Sequence, residues 1–88
     1  MAKLRLTNSH DRPHGMWVEP LGEDYWLNPG ETFTVVADDD PDADGFNVVH
    51  HDQGVSVWYE AASWPEPQVY DASGKLLRCG HQRPQEAK

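Results

Sequence analysis

The sequence is poor in most of the features that carry chemistry or direct export. It holds one cysteine, Cys79, so no disulfide can form within the chain. Small secreted domains commonly depend on such staples. The opening MAKLRLTNSH lacks the apolar run of an export signal. No window approaches the roughly 18 consecutive apolar residues of a membrane-spanning helix. These absences predict a soluble, reduced, cytoplasmic protein. Bases are also scarce: 7 Lys and Arg stand against 15 acids, for a net charge of −8. Nucleic-acid binding rests on neutralising phosphates with Lys and Arg, so DNA and RNA are excluded as partners. An anionic membrane surface is disfavoured by the same Coulomb argument. What an acidic surface favours is a basic protein partner or a cation.

Catalytic signatures are missing as well. There is no Gly-rich phosphate loop and no Cys-x-x-Cys, and Ser9, Ser56, Ser63 and Ser73 lie in no nucleophile motif. A positioned acid, base or nucleophile is the minimum for an enzyme, so no enzymatic activity and no cofactor are expected.

Helical periodicity is nearly absent, and what remains is period-two alternation broken by turns. Lys3–Thr7 alternates with Leu4 and Leu6 on one face. Thr32–Ala37 places Phe33, Val35 and Ala37 together. GMWVE and DYWLN flank a bend at Pro20-Leu21-Gly22, and FNVVHH and VSVWYE flank Asp52-Gln53-Gly54, the clearest hairpin in the chain. Asn28-Pro29-Gly30 is a tight turn, with proline presetting φ and glycine supplying a positive one. QVYDA and KLLRC predict a last hairpin about Ser73-Gly74. The pattern predicts an all-β fold: a small single-domain antiparallel β-sandwich or open barrel of about six to eight short strands. The domain spans residues 1–80, with 81–88 as a polar, frayed tail.

The aromatic content is high for so polar a chain: four Trp, three Tyr and two Phe in 88 residues. Parity separates them. Trp17 lies opposite Met16 and Val18, Trp26 opposite Tyr25 and Leu27, and Trp58 opposite Val57 and Tyr59. Three tryptophans on the less aliphatic faces predict either extra core or a recognition surface, since rigid indoles dominate binding hot spots. Glu19, Glu23 and Asp24 cluster beside them and predict an acidic rim suited to a cationic or peptide partner. The reading is a non-catalytic binding module for a protein or peptide, with homo-oligomerisation through the same patch.

The alternative is metal. Five of nine aspartates fall in residues 38–44, and Asp40-Pro41-Asp42-Ala43-Asp44-Gly45 reads D-x-D-x-D-G, the start of a calcium loop. His51 stands where the bidentate Glu of a full loop belongs, and the flanks read as strands, so an acidic turn is the competing explanation. A soft zinc or copper site would join Cys79, His81 and one of His10, His14 or His50. The order His14, Cys79, His81 and the LNPGE turn resemble the blue-copper proteins, although no methionine follows His81 and Cys-x-His is too short for their ligand loop. Otherwise Cys79 is expected to be a small buried hydrophobe.

Overall fold

The computed structural model describes residues 2–38, 45–59 and 66–85. These residues form seven strands and no helix: β1 (Ala2–Thr7), β2 (His14–Glu19), β3 (Glu23–Leu27), β4 (Thr32–Ala37), β5 (Phe46–His51), β6 (Gly54–Tyr59) and β7 (Gln68–Tyr70). One sheet has three strands in the order β1-β4-β7, and the other has four in the order β3-β2-β6-β5. The all-β expectation is met, as a two-layer arrangement.

Alternation decides which side chains enter the core. On β4, Phe33, Val35 and Ala37 are buried while Thr32, Thr34 and Val36 are only partly covered. From the larger sheet, Met16, Val18, Tyr25, Leu27, Val55 and Val57 meet Phe33, Val35 and Val69, with Leu77 closing the end. Leu4, Leu6, Phe46 and Val48 pack around this cluster from the flanking strands. Phe33, Met16 and Val57 are at most 1% exposed. Burying side chains of this size contributes about 1.5–3 kcal/mol each.

The local punctuation follows the sequence. The Glu31 amide donates to the Asn28 carbonyl at 3.0 Å, closing the Asn28-Pro29-Gly30 turn, and Gly30 takes φ of 84°. β5 and β6 form the expected antiparallel hairpin, with His51 opposite Gly54 across a two-residue turn. β3 is a separate strand, paired antiparallel to β2.

Two features differ from the sequence-based expectation. Four strand pairings are antiparallel, but β2 and β6 run parallel, from Gly15 opposite Gly54 to Glu19 opposite Trp58. Among the described residues the connection holds no helix: β3, β4 and β5 lie between the two strands in sequence, and β4 carries the chain through the other sheet. The last hairpin is also reduced to a bridge between Tyr70 and Leu76. Asp71 explains this: its Oδ1 accepts from the amides of Ser73 and Lys75, both at 2.9 Å, and from the Ser73 hydroxyl at 2.7 Å. The turn is thereby organised by a side chain, and beside the bridge the pairing is carried by the Asp71 amide, donating to the Lys75 carbonyl at 2.9 Å, and the Leu77 amide, donating to Val69 at 2.8 Å.

Candidate functional site

The outward face of the four-stranded sheet carries the three tryptophans. β2 contributes Trp17 and Glu19, β3 contributes Asp24 and Trp26, β6 contributes Gly54, Ser56 and Trp58, and β5 contributes Asn47, Val49 and His51. Their partners in register share the face, because directly paired residues project on the same side.

Two glycines make a hollow in this face. In one row across the sheet, Trp26 and His51 are separated by Gly15 and Gly54. The Trp17 ring fills the hollow. A Cβ on Gly15 would come within 2.5 Å of it, and within 3.2 Å of Trp26. A Cβ on Gly54 would overlap the Gly15 carbonyl. The glycines therefore let the two backbones approach and let the indole lie down. Trp17 meets Trp26 edge-on, with centroids 5.3 Å apart at 73°, and tilts against His51 at 5.0 Å and 50°. Such edge contacts contribute about 0.5–1.5 kcal/mol beyond burial.

Trp26 is held from beneath its edge. Its Nε1 donates to Asp24 Oδ2 at 2.8 Å. Arg83 then clamps the same carboxylate, Nε to Oδ2 at 2.7 Å and a terminal nitrogen to Oδ1 at 2.5 Å. The Cys79 thiol donates to Oδ1 at 3.6 Å. The Arg83 guanidinium, chiefly through its hydrogen bonds, holds the Asp24 carboxyl at about 2, below its usual 3.8, against the opposing effect of burial. Trp17, Trp26, Asp24 and Arg83 line a cleft of about 980 Å³ together with Arg12 and Asp52.

The six residues singled out as a binding surface are thus distributed unequally. Trp17, Trp26, Trp58, Glu19 and Asp24 share the outward face. Trp58 is 37% exposed and lies one row beyond Trp17, beside Glu19 and Asn47. Trp26 and Asp24 are buried, and the Asp24 charge is met by Arg83. Glu23 lies on the other face, where its carboxylate accepts from the Tyr25 hydroxyl at 3.2 Å. Burial, and next the Glu23 charge, push the Tyr25 hydroxyl far above its ordinary value. Glu66 is raised as well, by burial first and then by Glu23. The acidic rim is carried at Glu19, while Asp24 acts as the anchor for Arg83.

Of the metal candidates, Asp40, Asp42 and Asp44 lie outside the described residues. Cys79 and His81 turn to different partners. The thiol is exposed rather than buried and faces Asp24, while the His81 ring packs edge-on against Phe33 at 5.6 Å. Among the described residues, no three His, Cys, Asp or Glu side chains converge on a point that would hold a metal ion.

What the sequence does not suggest is the role of residues 79–83. They lie along the free edge of β3. The Gly80 amide donates to the Asp24 carbonyl at 2.6 Å and the Trp26 amide to the His81 carbonyl at 2.9 Å. Gln82 Nε2 donates to the Trp26 carbonyl at 2.8 Å and to Glu31 at 2.7 Å. This covers an edge that would otherwise offer unpaired backbone groups. HQRPQ has the composition of a frayed tail, and no periodic signal marks it as structural; its partners are more than 50 residues away.

No protein-family model, no curated protein and no solved structure matches this chain.

Proposed function

We propose that this protein is a non-catalytic, cytoplasmic binding module that takes a protein or peptide partner on the outward face of its four-stranded sheet, and that copies self-associate through the same face. The observation that carries this reading is the tryptophan arrangement. Trp17 and Trp26 are locked together by Asp24, Arg83 and the Gly15–Gly54 hollow, while Trp58 stays 37% exposed beside Val49 at 46%. A rigid aromatic floor next to exposed apolar groups is the composition of a hot spot, because little conformational entropy remains to be lost on binding. Glu19 beside Trp58 supplies negative charge and favours a partner with a basic residue next to an apolar one.

The test is selection of peptides from a displayed random library on the immobilised full chain, followed by affinity measurement in solution. Peptides enriched in basic and aromatic residues are expected, and Trp58→Ser should weaken them by about tenfold or more, the loss typical of a hot-spot residue. Peptides whose affinity is unchanged by Trp58→Ser and by Val49→Ser would place binding elsewhere and end this reading.

A further inference from the structure

The loop between β1 and β2 and the β5–β6 hairpin meet at one end of the larger sheet. They enclose a second, smaller cavity of about 390 Å³. Four of the chain's five histidines line it: His10, His14, His50 and His51. Among the described residues, the other titratable or charged groups on its wall are Arg12 and Asp52, and Ser9 also lines it. The His10 and His14 rings are stacked, with centroids 4.9 Å apart and planes at 27°. His51 reaches Ser56 Oγ at 3.3 Å and lies against Trp17. Sequence separation hides this grouping, since His10 and His14 come from a loop and a strand start some 40 residues from the other pair.

We infer that this cavity binds a tetrahedral oxyanion of the sulfate or phosphate class, and does so when its imidazoles are protonated. The wall carries one guanidinium and one carboxylate besides its imidazoles. Each imidazole that takes up a proton adds a positive charge around the same space. Asp52 is the single acid on the wall to meet them. Stacked imidazoliums repel, and a doubly charged anion between loop and hairpin relieves that repulsion while accepting N–H donors from more than one ring. Burial first, then the charges of His10, His50, His51 and Arg12, depress His14 below its ordinary value. A bound anion reverses the sign of its surroundings. A metal fits the cavity less well, because no three His, Cys, Asp or Glu side chains of the described residues converge on one point.

The site is built by neighbours that fix its loop. Asn8, 1% exposed, donates to the carbonyls of Arg12 and Leu27, both at 2.9 Å, and accepts from the His10 amide at 2.9 Å. The backbone bearing His10 and Arg12 is thereby tied to β3 before any ligand arrives.

Sulfate is the probe, because it stays doubly charged across the range and any pH dependence then belongs to the protein. The histidine ring resonances of the full chain are followed by NMR while sodium sulfate replaces sodium chloride at constant ionic strength. At about pH 5.5 the His10 and His14 signals should move saturably, with affinity at least about tenfold higher than at about pH 8. The double substitution His10→Gln, His14→Gln should lower the affinity at the acid pH by about tenfold or more, with near-ultraviolet tryptophan dichroism confirming the fold. The pair Lys3→Gln, Arg5→Gln, on the opposite sheet, should leave it unchanged. Three results would overturn the inference: no saturable shift of His10 or His14 in the wild-type protein at acid pH, equal affinity at both pH values, or binding retained without His10 and His14. Zinc at neutral pH moving these four histidines while sulfate moves none would overturn it in favour of a metal site.

Discussion

Arg83 grips both oxygens of the Asp24 carboxylate from 59 positions further along the chain. The same carboxylate orients the Trp26 indole. One ion pair therefore ties the C-terminal segment to β3 and fixes an aromatic ring of the candidate site. Asp24 is largely enclosed, but the Arg83 side chain is 48% exposed, so solvent screens part of the attraction.

That pairing predicts a defined acid dependence. The Asp24 carboxyl is depressed in the folded protein, so its contribution is complete above the unfolded value near 3.8 and fades as pH falls towards about 2. The measurement is urea unfolding of wild type and Asp24→Asn across that range. Wild type should be more stable by about 1–2 kcal/mol near neutrality, after allowance for screening, and the gap should close below about pH 3. A gap that stays constant down to pH 2 would show that the ion pair does not stabilise the fold. Arg83→Ala should reproduce the loss near neutrality and expose Cys79 further to thiol reagents.

A buried amide makes the second prediction. Asn8 uses both of its amide hydrogens and its carbonyl oxygen on the backbone of three other residues. Asn8→Leu keeps the branched shape and the number of heavy atoms but leaves the carbonyls of Arg12 and Leu27 and the amide of His10 without those partners. A cost of about 2–4 kcal/mol is expected, since each buried group left unsatisfied costs about 1–3 kcal/mol and part of the loop reaches solvent. Chemical denaturation reads this directly, and a cost below about 0.5 kcal/mol would mean that water replaces the side chain freely.

These examples also show which features were legible in the sequence. Alternation in Thr32–Ala37 put Phe33, Val35 and Ala37 on one face, and the same parity put Trp17, Trp26 and Trp58 on a face opposite the core aliphatics. Turns announced themselves through Asn28-Pro29-Gly30 and Asp52-Gln53. Parity reports a face, however, and says nothing of what covers it. Trp26 shares its face with Trp58 but is buried, with Trp17 edge-on against it and Gln82 bonded to its carbonyl from a segment with no strand pattern. The gathering of His10, His14, His50 and His51 is invisible for the same reason: it depends on which strands neighbour one another. The parallel pairing of β2 with β6 is equally non-local, and of the two glycines that permit it Gly15 reads only as a strand start and Gly54 only as a turn residue.

Those glycines give the third prediction. A methyl on Gly54 would overlap the Gly15 carbonyl, so Gly54→Ala forces the two central strands apart. The expected cost is about 3 kcal/mol, the upper end for overpacking. Gly15→Ala meets a ring rather than backbone, with Trp17 at 2.5 Å. It should cost less, expel the indole from its hollow, and weaken the near-ultraviolet dichroism of the Trp17–Trp26 pair. Equal costs for the two substitutions would contradict the different obstacles they face.

The last prediction concerns self-association through the outward face. Val49 and Trp58 lie on neighbouring strands, and both are exposed, at 46% and 37%. Among the described residues β5 is also the outer strand of its sheet, the side from which a second copy can approach the face. Apolar patches of this kind are covered in homo-oligomers more often than they are left open. Sedimentation of the wild-type chain should show reversible association at micromolar to millimolar concentration. Val49→Lys should abolish it without a change in unfolding midpoint, because an exposed lysine there adds charge to an interface but breaks no contact in the core. The long-range repulsion between copies of net charge −8 adds a second expectation. Association should strengthen as salt rises and screens the repulsion. A chain that stays monomeric at high salt and high concentration would remove self-association from the proposed function, and would leave the tryptophan face for a different partner.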